Sequence, residues 1–136
     1  MKNREFLGLD VGIARTGIAR ASSAAGLAEP LTTVKTDKVL NKLQDIINQE
    51  SVTAIVVGLP RGLDGDDTDQ TRWVRSWVVK AKKQINMLFY WQDEALTSVK
   101  AENLKLAAKN QDTDALAAAI ILQNWVDTPE AQRVVC

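Results

Sequence analysis

Along the chain, apolar positions first alternate with a period of two and then recur every three or four residues. Glu5 to Asp10 reads as a strand and Gly17 to Ala21 as a second, joined by a tight connection that Gly12 and Gly17 permit. "EPLTTVKT" supplies a third strand, with Pro30 placing it at a sheet edge or a strand start. From Asp37 the pattern changes: Val39, Leu40, Leu43, Ile46 and Ile47 follow helical spacing, and Asp37 is suited to cap the helix. "TAIVVGL", Thr53 to Leu59, is a continuous apolar run, as expected of a central strand covered on both faces.

"PRGLDGDDTDQ" then marks a loop whose Asp67-x-x-Gln70 resembles a capping box, so a helix should follow. In that helix Trp73, Val74, Trp77, Val78 and Ala81 form the apolar stripe. "NMLFYWQDE" is a fifth strand, and "TSVKAENLKLAA" and "TDALAAAIILQNWV" are two closing helices. This order predicts an α/β fold: a mixed five-stranded sheet with strands 1–3 antiparallel, strands 4–5 parallel and helices on both faces. The 136 residues are expected to form a single domain, 1–136.

Composition narrows the chemistry. Seventeen basic residues balance seventeen acidic ones, so a nucleic-acid partner would have to be met by a local basic face. The absence of histidine excludes histidine-based triads and histidine-rich zinc sites, leaving carboxylates, lysine, water or the lone thiol of Cys136. With one cysteine, which reads as a terminal thiol, no intrachain disulfide forms and a reducing cytosol fits best. "ALAAAIIL", the longest apolar run, falls short of the roughly 18 residues of a membrane span, and "MKNREFLGLD" is no signal peptide. A cytoplasmic protein with no membrane partner is expected.

Three acidic positions lie at element ends: Asp10 after the first strand, Asp93-Glu94 after the fifth, and Asp112/Asp114 at the last helix start. In α/β sheets, such strand ends and helix starts converge on one rim. Carboxylates gathered there repel one another unless a divalent cation joins them, and oxygen-only ligation suits Mg2+ or Mn2+. Asp112 reads as a helix cap. Asp114 reads equally as a ligand or as a charge favoured by the helix start. Alternation sends Asp93 and Glu94 to opposite faces, so only one of them should enter a shared site. "DGDDTD" lacks the terminal Glu of a calcium loop and reads as a solvated loop with capping residues. Trp73 and Trp77 read as core before they read as a base-stacking pair. Arg61, Arg72 and Arg75 are candidates for a phosphate-contacting edge.

In order along the chain, "LGLDVGIARTGIARA", "LAEPLTTV", "AIVVGLPRGLDG", "WQDEALTSVKAENL" and "DALAAAIILQNWVD" resemble the YqgF (RuvX) family. Its members are Holliday-junction-resolvase-like proteins of the RNase H superfamily, associated with pre-16S rRNA processing. The resemblance implies an RNase H-like fold and a nuclease with Asp10, Glu94 and Asp114 as catalytic metal ligands. It also implies Arg15 as a phosphate-binding residue, with pre-rRNA or branched DNA as substrate. Two departures bear on phosphate binding: Ala14 stands where the family's opening motif has lysine, and Ala95 where its strand-five motif has arginine. These departures and the balanced charge keep a non-catalytic RNA-binding or ribosome-assembly factor as the alternative. "DVGIARTG" also resembles the first phosphate loop of actin-like ATPases, but that fold needs two lobes and the chain has room for one. A homodimer and a ribosome-associated partner are the expected assemblies; the tryptophan helix and "WVDTPEAQRVVC" are the candidate dimer faces.

Overall fold

The computed structural model describes residues 3–62, 64–94 and 113–136. Strands β1 (Glu5–Val11), β2 (Arg15–Ser22) and β3 (Ala28–Lys35) lead through a 3-10 turn (Thr36–Lys38) into helix α1 (Val39–Gln49). Then come β4 (Val52–Leu59), α2 (Asp69–Gln84), β5 (Leu88–Asp93), α3 (Thr113–Asp127), a second 3-10 turn (Glu130–Gln132) and β6 (Val134–Val135). The strands form one sheet in the order β3-β2-β1-β4-β5-β6. β1, β2 and β3 are antiparallel neighbours, whereas β4 runs parallel to β1 and β5 parallel to β4.

The sheet has six strands where the hydrophobic pattern predicts five. β6 pairs antiparallel with β5, Val134 opposite Trp91 and Val135 opposite Tyr90. Two residues are too few to display a period, and the pairing is secured from outside the strand. Cys136 donates its N–H to the Phe89 carbonyl at 2.9 Å, and Lys82 Nζ donates to the Cys136 carbonyl at 2.7 Å.

Strand alternation divides the side chains between two layers. Leu7, Leu9, Val11, Ile18, Ile55, Val57 and Phe89 pack against Val39 and Leu43 of α1 and Val74 and Val78 of α2. On the opposite face Phe6, Ala19, Ala21, Ala54 and Val56 meet Ala118, Ala119, Leu122 and Trp125 of α3. Trp73 and Trp77 are half-buried against the α1/α2 core, which is the packing reading of that pair.

Two predicted caps move. Asp37 does not cap α1: the 3-10 turn intervenes, α1 starts at Val39, and Lys38 at its cap position makes no side-chain capping bond. The turn is held back by Thr36, whose hydroxyl donates to the Gly12 carbonyl at 2.6 Å. The capping box of α2 uses Thr68 and Thr71, one residue on from the predicted pair, because Asp67 is engaged by Arg75 at 3.0 Å. The predicted helix "TSVKAENLKLAA", Ala95 and Asp112 lie outside the described residues. Among the described residues no helix is long and apolar enough to cross a membrane.

Candidate active site

Asp10, Glu94 and Asp114 approach one another at the C-terminal ends of β1 and β5 and the N-terminal end of α3, and the sheet register explains how. Phe6 and Gly8 face α3, so Asp10, two residues further, faces the same layer. On β5 the same alternation follows Tyr90 and Gln92 to Glu94, and Asp93 points to the other face. Glu94 is therefore the residue that shares a site with Asp10.

Two glycines bring the parts into reach. Gly17 pairs with Asp10 across the β1–β2 ladder, and a Cβ placed on it would fall onto the backbone carbonyl of Asp114. The bare backbone of β2 is what lets α3 start directly above Asp10. At the end of β4, a Cβ on Gly58 would lie 2.8 Å from Oε1 of Glu94 and would collide with Ile121. Glu94 thus rests its carboxyl on Gly58 although the residue itself is exposed at the strand end. In the sequence Gly17 reads as part of the hairpin turn and Gly58 is given no role; the signal for Gly58 is a glycine inside the apolar end of β4, and for Gly17 a glycine opposite Asp10 in the ladder.

The carboxyl groups of Asp10 and Glu94 are hydrogen-bonded to each other. Burial pushes the Glu94 carboxyl up to about 7, and the Asp10 charge adds to the rise. Asp10 is also raised, chiefly by burial and further by Asp114, while its bond with Glu94 acts in the opposite direction. Of the two, Glu94 is the one that favours its protonated form and donates to Asp10. Asp114 is close enough to act on Asp10 electrostatically, but its carboxylate is turned to Arg15, whose Nε lies 3.2 Å away.

A shared proton between two carboxyls marks a place where a hard cation can substitute for it, and the donors are all oxygen. That much fits a divalent metal. Among the described residues no three acidic or thiol side chains stand close enough together to hold an ion, because Asp114 is held to Arg15.

The other candidate arginines fall elsewhere. Arg61 pairs with Asp93 at 3.4 Å, on the face opposite Glu94. Arg75 pairs with Asp67 and lies over the Trp91 ring, 5.5 Å from its centroid. Together with Gln92 and Arg133 they line a groove of about 370 Å³ beside the ends of β4 and β5. Arg72 is exposed on α2 and pairs with Asp69. The acidic loop is used locally: Asp64 accepts the Asp66 N–H at 3.1 Å, Asp67 holds Arg75, and Gly65 supplies a left-handed turn at φ 81°.

The profile of one family, described as "RuvX: Holliday junction resolvase", matches residues 4–128. The chain belongs to the RuvX family. A protein of Trichormus variabilis named "putative pre-16S rRNA nuclease" is 36% identical over 130 residues, covering 89% of this chain and 86% of that one. A protein of the same name from Fusobacterium nucleatum is 34% identical over 134 residues, covering 91% and 97%. Among solved structures, Thermus thermophilus RuvC in complex with a Holliday junction substrate superposes with a TM-score of 0.67 at 15% identity, covering 98% of this chain and 99% of that one. The RuvX chain thus shares the RuvC fold, the RNase H-like arrangement that its motifs implied.

Proposed function

We propose that this protein is a nuclease that hydrolyses nucleic-acid phosphodiesters with Mg2+ or Mn2+ held by Asp10, Glu94 and Asp114. The observation that carries the reading is the meeting of the hydrogen-bonded Asp10 and Glu94 carboxyls beneath the start of α3, which Gly17 admits, in a chain of the RuvX family. When bound, such a cation activates water and neutralises charge on the phosphate. Asp10, Glu94 and Asp114 would hold it, and the 69%-exposed side chain of Arg15, paired with Asp114 at 3.2 Å, would turn to a phosphate oxygen. Arg61 and Arg75 stand on the far side of β5, where they would contact the strand away from the reacting phosphate.

The substrate assigned is the precursor of 16S rRNA, supported by the names of relatives covering most of the chain; its 5′ end is our own assignment of the cleaved region. Branched DNA is the second substrate, supported by the family's description. We assign the activity to the cytoplasm and to a single domain that works as a homodimer or with a ribosome-associated partner.

A second reading, a non-catalytic RNA-binding or assembly factor, is favoured by Ala14 and by the absence of a closed three-carboxylate group among the described residues. Purified protein is tested on precursor rRNA and on a four-way DNA junction with Mn2+, beside Asp10→Asn. Cleavage by the wild type that falls to background in a folded Asp10→Asn variant is expected. Equal cleavage by both removes the assignment of Asp10; binding without cleavage by the wild type selects the second reading.

A further inference from the structure

The turn that follows the strand of Asp10, between β1 and β2, carries an apolar side chain into solvent. Ile13 is 76% exposed, more than any other large apolar residue among those described, and neighbouring Ala14 is exposed too. Single exposed aliphatics are ordinary on protein surfaces; this one stands on a turn whose backbone is fixed. Gly12 donates its N–H to the Arg15 carbonyl at 3.0 Å, closing the turn. The Thr36 hydroxyl donates to the Gly12 carbonyl at 2.6 Å, and the Thr36 N–H donates to the Ala14 carbonyl at 3.1 Å. Below the turn, the hydroxyls of Thr36 and the fully buried Thr16 lie 2.9 Å apart. Ile13 is thereby held three residues from Asp10 and two from Arg15, outside both apolar layers of the fold.

We propose that Ile13 is a wedge that enters the base stack of the nucleic acid next to the bond being cut. Neither Ile13 nor Ala14 can bind a phosphate through its side chain. An aliphatic side chain on a rigid tip, flanked by an arginine that reaches phosphate, matches the way apolar residues part adjacent bases while cations hold the backbone. The bent strand that results exposes the phosphodiester beside the parted step to Asp10 and Glu94. The ligand chemistry is a stacked base step, which RNA and DNA both offer. This inference rests on the nuclease reading for its substrate.

The test uses two probes with 2-aminopurine, whose fluorescence rises on unstacking: an RNA hairpin with a single-stranded 5′ flank, and a four-way DNA junction. Each is titrated with the wild type, Ile13→Leu, Ile13→Ala and Ile13→Asn in EDTA and again in Ca2+. The wild type and Ile13→Leu should bind with a rise in fluorescence. Ile13→Ala and Ile13→Asn should melt at the wild-type temperature, bind roughly tenfold more weakly, as loss of one buried aliphatic side chain implies, and give no rise. The probe that lights up tells whether the step belongs to RNA or DNA. A rise with Ile13→Ala equal to that of the wild type, wild-type binding without a rise, or no binding of either probe overturns the wedge. A wild-type protein that binds with the rise but does not cleave in Mn2+ refutes the nuclease reading and leaves the wedge standing.

Discussion

The two faces of the sheet are built on different principles. Against α1 and α2 the strands present Leu7, Leu9, Val11, Ile18, Ile55 and Val57, bulky side chains that fill the layer between sheet and helices. Against α3 they present, besides Phe6 and Val56, only the small residues Gly8, Gly17, Ala19, Ala21, Ala54 and Gly58, and at the glycines the helix settles almost onto the strand backbones. A bulky layer tolerates small shifts of its helices, because side chains can turn to new rotamers. A layer with backbone against backbone does not, and it is this one that seats Asp114 above Asp10 and Glu94 upon Gly58. The site is placed by the face with least side chain in it.

The strongest challenge to this contrast is a matched pair of core substitutions. Gly17→Ala puts a methyl group onto the Asp114 carbonyl, which belongs to the helix backbone and cannot rotate away. Overpacking of this kind costs about 1–3 kcal/mol or more, and the start of α3 must shift. Cleavage should fall to background even at temperatures where the variant remains folded. Leu43→Ala removes a fully buried side chain from the other face and should cost about 2–5 kcal/mol. Its activity below the melting temperature should match the wild type. Denaturant unfolding and cleavage rates, compared for the two variants, test the contrast; comparable activity loss per kcal/mol on both faces would abolish it.

A smaller effect tests the electrostatics of the tight face. In the unfolded chain Glu94 titrates near 4.5, and in the folded protein near about 7. Between these values the folded state binds more protons than the unfolded one, so stability without divalent ions should fall as pH rises from about 4.5 to 7. Asp10, raised as well, adds to the same slope. Melting temperatures across this range in EDTA should show the decline, and Glu94→Gln, which does not titrate, should flatten it. Mn2+ should raise the wild-type melting temperature most at the alkaline end, where the shared proton no longer competes for the carboxylates. A flat wild-type profile in EDTA would show that the pair does not share a proton.

How much of this was legible beforehand differs between the faces in the same way. β4 announced itself as a continuous apolar run, and α1 and α2 by their stripes, because bulky residues carry the periodic signal. Alternation along β1 and β5 also contained the choice of Glu94 over Asp93, but only once it was known which face α3 covers. The tight face was harder to read: Gly17 looks like a turn former and Gly58 like a small residue inside a strand, and their role depends on a helix about 100 and 60 residues away along the chain. β6 was missed because its two residues have no period and depend on backbone bonds to β5. Where the arginines stand relative to the carboxyls is not in the sequence, because position along α2 or after β4 does not reveal which side of β5 a side chain reaches.

The weakest perturbation falls on the bulky face and asks whether its loop takes part in function. Thr68 caps α2 by accepting the Thr71 N–H at 3.2 Å, and the Thr71 hydroxyl in turn donates to the Pro60 carbonyl, tying the helix start to the end of β4. Thr68→Ala should cost about 1 kcal/mol, the usual value of a lost cap. If the bulky face only supports the sheet, cleavage and nucleic-acid binding should be unchanged after that loss. The same loop, however, carries Arg61 and is held to Arg75 through Asp67. Loosening it therefore loosens the wall of the groove beside β5. Binding weakened by Thr68→Ala, with the cleavage rate at saturating substrate preserved, would show that the strand crosses both faces of the rim. Unchanged binding would confine recognition to the hairpin tip and the carboxyls beside it.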